Sequence, residues 1–250
     1  MTTADQQPPT TIRHSIRSAI HPSRRLTTTA GVLVFAGMVA GLLSVVPVLE
    51  QDDYFGALPA RSAEVVSGAL FQVLMIPAYA GFALALYPSL RRVSAGLAAG
   101  FLGFRLMACG FHLLAAAMLP LLLDLAQGHG TAAPDAATYE ILAETLRKAR
   151  DLVNHVAVIV ALGLGDLLLF TLLHRWRLVP RWLSLWGLCG AGLAIFASLL
   201  VLSRAVEIVA APYLLLNAPL ALQSLILGAW LIGRGLRESS PIARSRGTGH

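Results

Sequence analysis

Charge is what this chain has least of: Asp, Glu, Lys and Arg together make up 13% of its 250 residues. A soluble domain carries roughly 25%. A soluble core of this length needs a polar shell, and this composition cannot supply one. Cysteine is scarce as well, with Cys109 and Cys189 the two in the chain, both inside apolar runs. That excludes a disulfide framework and a thiolate metal site, and leaves both as small packing residues. Nucleophile-elbow, Walker and kinase signatures are absent. No glycine sits on the strand-to-helix turn that a phosphate loop requires.

What the chain has in abundance is apolar sequence, 56% of the whole. A membrane helix needs about 20 mostly apolar residues. Six runs qualify, at about 30–49, 64–88, 94–123, 152–174, 182–203 and 212–233. They are continuous rather than alternating, which excludes a β-barrel. The expected fold is all-α, a bundle of six transmembrane helices over residues 29–236, flanked by disordered tails at 1–28 and 237–250. The first run follows Arg13, Arg17, Arg24 and Arg25. It is too long for a signal-peptide core and reads as a retained anchor.

The net charge of +6 comes almost entirely from Arg placed between the apolar runs. That placement signals membrane orientation and no nucleic-acid partner. The two tails and the loops after helices 2 and 4 hold 13 basic residues; the opposite side holds five, Arg61, Arg147, Lys148, Arg150 and Arg204. The basic side is expected to be cytoplasmic, with both termini there. Trp176, Trp182, Trp186 and Trp230 cluster near the same side as half of an aromatic belt. In the long loop at 124–151, the Gly- and Ala-rich stretch 126–134 reads as flexible. Asp135 is placed to cap a short helix running into helix 4. Glu144 and Lys148 are spaced for an i,i+4 pair.

Charged groups at membrane depth are costly unless paired, so each is a candidate site. Arg105, Cys109 and His112 fall on one face of helix 3, and Asp151, His155 and Asp166 on one face of helix 4. At about 1.5 Å per residue, Arg105 and Asp166 lie at similar depth, and so do His112 and His155. Facing helices would pair Arg105 with Asp166 and His112 with His155. The first pair is either a structural ion pair or a substrate or proton site. His112 and His155 are the candidate ligands for a metal or haem, but zinc wants three or four ligands and no HxxxH or HExxH pattern exists. No cofactor is therefore expected. Gln72, Asn217 and Gln223 are secondary candidates, with Pro77 and Pro219 as kink points; amides of this kind also serve as helix–helix glue. Gly37 with Gly41 and Gly96 with Gly100 form GxxxG spacings, and Gly187, Gly190 and Gly192 crowd helix 5, all permitting close packing.

The run LVPRWLSLWGLCG over Leu178–Gly190 and the run NAPLALQSLILGAWLIGRG over Asn217–Gly235 carry a family resemblance. Leu86-Tyr87-Pro88 and Gly103-Phe104-Arg105 fit it as well. Together they resemble the bacterial membrane family called domain of unknown function 4386, over roughly residues 28–236. The resemblance implies a six-helix inner-membrane protein and no particular activity. Two departures from the family pattern stand out: Gln223 stands where Glu is usual, and Leu106, Met107 and Ala108 stand where a Glu often follows the Arg. Three function classes stay open. The first is an accessory or structural protein, with the lipid bilayer as its partner. The second is a small-molecule transporter or permease using Arg105 and Asp166. The third is an enzyme acting on a lipid or isoprenoid near His112, His155 and Asp151. Oligomeric state is not legible.

Overall fold

The computed structural model describes residues 10–51, 53–129, 136–208 and 210–237. The expected cap at Asp135, most of the stretch 126–134, and the tail segments 1–9 and 238–250 lie outside the described residues. The elements are α1 (Thr10–Leu43), α2 (Tyr54–Ala57), α3 (Ser62–Leu90), α4 (Ala95–His129), α5 (Ala136–Leu152), α6 (Ile159–Arg175), α7 (Arg181–Leu202) and α8 (Ala211–Gly233). Single 3₁₀ turns at Pro47–Glu50 and Pro59–Arg61 flank α2, and a π-helical turn at Val153–Val158 joins α5 to α6. Every regular element among the described residues is helical, and six helices are long and apolar enough to cross a membrane.

Two boundaries differ from the sequence expectation. Helix α1 begins at Thr10, within the segment expected to be a disordered tail, because extending an existing helix costs far less than nucleating one. It ends at Leu43 rather than 49 because Pro47 disfavours helical backbone before it. The helix expected around 136–151 does run into helix 4, and the Glu144–Lys148 pair forms at 3.1 Å.

Short connections make α3 and α4, α6 and α7, and α7 and α8 antiparallel neighbours. Helix α3 packs on α1 and α4, α6 on α4 and α7, and α8 on α7 and back on α1. The six spans thus close into a ring rather than a slab. The seam between first and last span closes where Gly31 meets Gly228: a Cβ on Gly31 would stand 2.6 Å from the Gly228 carbonyl oxygen. Arg24 fastens the same seam, its Nη2 donating to the carbonyls of Ile232 at 3.0 Å and Gly233 at 2.7 Å. Those carbonyls lack helical partners at the C-terminus of α8, and an Arg supplies donors and a favourable charge there. Gly235, at φ 71°, completes the termination in the left-handed region. The Arg237 amide donates to the Leu178 carbonyl at 2.9 Å. The helix α1 seam, the 176–180 turn and the end of α8 therefore share one end of the bundle, the end rich in Arg.

The core at that end is Phe82, Leu86, Phe101, Leu169, Phe170, Leu183, Leu227 and Leu231 with their neighbours. At the opposite end Val48, Leu49 and Leu58, from the segment between α1 and α3, pack on Leu119, Leu122 and Ala143. Apolar side chains also cover the outside, with Leu42 76% and Leu215 71% exposed. An apolar exterior of this kind is what a lipid-facing surface presents.

Candidate functional site

Arg105 and Asp166 meet because α4 and α6 approach closely between small residues. A Cβ on Gly100 would lie 2.8 Å from Leu168, and one on Gly165 would lie 3.2 Å from the Phe104 Cβ. The Arg105 Nη2 donates to Asp166 Oδ1 as a buried ion pair, with the two residues 7% and 6% exposed. The guanidinium carbon also lies 5.1 Å from the Phe82 ring centre, 5.6 Å from that of Phe101 and 5.9 Å from that of Tyr79. Aromatic faces attract a cation electrostatically and displace the water it would otherwise hold. The Arg105 Nε is buried with no hydrogen-bond partner among the described residues.

The pair lines a cavity of about 270 Å³ at the centre of the ring. All six spans contribute, including Leu33 and Met38 from α1, Tyr79 and Phe82 from α3, Ala194 from α7, and Asn217 and Ser224 from α8. A ring whose opposite members barely touch leaves such a lumen, and this one is mostly apolar around a single pair of charges.

His112 and His155 do not pair with each other, contrary to the expectation. His112 stacks on Tyr79 with ring centres 5.3 Å apart, and neither of its ring nitrogens has a partner among the described residues. The His155 Nδ1 shares a 2.9 Å hydrogen bond with the Tyr213 hydroxyl of α8. The physical reason is the π turn, which holds His155 itself. An extra residue in one turn re-aims the side chains on it, so uniform α-helical counting from Asp166 misplaces His155. The Ser198 hydroxyl of α7 donates to the His155 carbonyl at 2.8 Å, satisfying backbone in that irregular turn. Among the described residues, no group of three or more His, Cys, Asp or Glu is arranged to hold a metal ion.

Asp151 belongs to a different cluster, at the loop end of the bundle. It pairs with Arg150 at 3.4 Å and with Arg147 at 3.8 Å. Arg147 also pairs with Glu144 at 3.0 Å and lies 5.1 Å from the Tyr54 ring centre. The Tyr54 hydroxyl donates to Glu144 at 3.1 Å. Burial, and then the Glu144 carboxylate beside it, raise the Tyr54 hydroxyl above its ordinary pKa. This network holds the α2 segment down on α5.

Two of the secondary candidates, Gln72 and Gln223, join elements of the bundle. The Gln72 amide donates to Asn154 Oδ1 at 2.6 Å, joining α3 to the π turn. The Gln223 amide donates to the Leu183 carbonyl at 3.2 Å, joining α8 to α7. The Asn217 amide donates to its own helix at Tyr213, 2.9 Å away, while the residue also lines the lumen. Cys109 is buried and Cys189 exposed, both as free thiols. The sequence reading missed Tyr79, Phe82 and Phe101 around Arg105. Tyr79 lies seven residues from Gln72, a spacing that puts both on one face of α3, and that was the available signal.

A family model described as Domain of unknown function (DUF4386) matches residues 29–235 of the chain. No curated protein and no solved structure matches it.

Proposed function

The chain belongs to the family described as Domain of unknown function (DUF4386), and from that premise we propose that it is a small-molecule permease of a bacterial inner membrane, with both termini cytoplasmic. The 13-to-5 division of basic residues supports that orientation. The observation that carries the permease reading is the lumen itself. A central cavity, lined by all six spans and holding one buried ion pair, is what a midplane substrate site requires. An accessory bundle would be expected to fill its centre with side chains. An enzyme working at His112, His155 and Asp151 would need those three in one pocket, and each has different neighbours.

The test is reagent access in a Cys189→Ser background, with the protein in lipid vesicles. Asn217→Cys and Ser224→Cys should react with a small membrane-impermeant thiol reagent. Leu222→Cys, on the apolar exterior of the same helix, should not. Equal protection of all three positions would contradict the permease reading and favour an accessory bundle.

A further inference from the structure

Donor capacity in the lumen is unbalanced, and the imbalance points to the ligand. Arg105 carries five N–H donors and is more than nine-tenths buried. One nitrogen, Nη2, is bonded to Asp166, and Nε has no partner among the described residues. Of the other lumen donors, the Ser224 hydroxyl donates to the Leu220 carbonyl at 2.9 Å and one N–H of the Asn217 amide to the Tyr213 carbonyl at 2.9 Å. What the site has to offer is a cation with one carboxylate partner, in otherwise apolar walls. A buried donor without a partner is costly, and a ligand that brings an acceptor removes that cost. Carboxylate matches the planar guanidinium fork better than any point charge.

Resting on the permease reading above, we infer that the lumen binds a small carboxylate with an apolar body, which engages Arg105 beside Asp166 and carries one proton in with it. The proton follows from charge. Arg105 and Asp166 together are neutral, so an entering monoanion would leave one uncompensated negative charge in an apolar lumen. Two carboxylates that share one cation at close range hold a proton between them. The proton comes from the aqueous phase, and no covalent bond changes. Titratable groups that face Asp166 are Arg105 on α4 and Tyr79 on α3, with Cys109 and His112 of α4 lying against Tyr79 rather than against Asp166. The lumen residues of α1, α7 and α8 carry no titratable side chain. Size is set by the cavity. An apolar cavity of about 150 Å³ accommodates benzene, so 270 Å³ suits roughly ten non-hydrogen atoms. Octanoate is a probe of that size.

The experiment is calorimetric titration of the full-length protein in lipid nanodiscs with octanoate, octylamine and octanol, each in two buffers of different ionisation enthalpy. Octanoate should bind in preference to the amine and the alcohol, with uptake of about one proton, and its affinity should fall about tenfold for each unit of pH increase above neutrality. Asp166→Asn should bind octanoate with no proton uptake, and octanoate should restore its thermal stability because the ligand replaces the lost counter-charge. The double variant Arg105→Gln/Asp166→Asn, which leaves no charge unpaired, should fold and bind none of the octanoate. Octanoate binding by that double variant at wild-type affinity would overturn the inference, and so would octanoate binding without proton uptake by the wild type. Preferential binding of octylamine or octanol would overturn the carboxylate class and leave the lumen as a ligand site. No binding of any of the three would count against both readings.

Discussion

His112 is buried on α4 with its ring stacked on Tyr79 and both ring nitrogens without partners among the described residues. Leaving a buried polar group unpaired costs about 1–3 kcal/mol. If the ring serves only to pack, His112→Phe keeps the stacking, removes the unpaired nitrogens and raises stability by about 1 kcal/mol. A thermal denaturation in detergent reads this directly; a loss of stability would show that His112 has a polar partner in the working protein. Arg105 presents the opposite case, since it has a counter-charge and three aromatic neighbours. Its pairing with Asp166 was legible in the sequence because charges at membrane depth are rare and the two lie at matching depths. Its aromatic surround was not, because Phe82 and Phe101 look like any other core residue in an apolar helix. The expected His112–His155 pair did not form, and Tyr79 and Tyr213 took the two rings instead.

At the scale of elements, the glycines separate into those that set helix spacing and those that do not. In α1, Gly37 faces Ala78 and Tyr79 of α3, and Gly41 faces Met75, so this GxxxG spacing works inside the bundle. In α4, Gly100 meets Leu168 while Gly96 has nothing within 4 Å. Spacing alone could not tell these apart, because it fixes which residues share a face and not which faces are covered. Gly31 carried no motif and is the most constrained glycine on α1. An added Cβ there runs into the backbone of α8, which cannot move aside as a flexible side chain could. Gly31→Ala should therefore cost about 1–3 kcal/mol, the usual range for overpacking. Gly96→Ala should change stability by no more than about 0.5 kcal/mol. Comparing the two variants by chemical unfolding in mixed micelles checks the seam between α1 and α8; equal effects would mean that the seam does not exist. The π turn at Val153–Val158 was likewise outside the reach of the sequence, since no residue type marks it and the pattern of apolar residues continues through it.

At the scale of the molecule, the number of spans was readable because bilayer thickness sets helix length, and composition leaves no other use for six apolar runs. The closing of those spans into a ring was not readable. It depends on contact between the first and last helices, where Gly31 meets Gly228, and on Arg24 reaching Gly233 at the end of α8, 209 residues away in sequence. Ring closure is what creates a lumen, and the lumen is what turns a buried ion pair into a candidate ligand site. The most direct measurement is an experimental map of the protein in lipid nanodiscs. The expected result is six helices in the order α1, α3, α4, α6, α7, α8, with α1 against α8 at Gly31 and Gly228. The space beside Arg105 and Asp166 should hold solvent or ligand density. A map in which α1 stands apart from α8, or in which side chains from opposite helices fill the space beside Arg105, would contradict it.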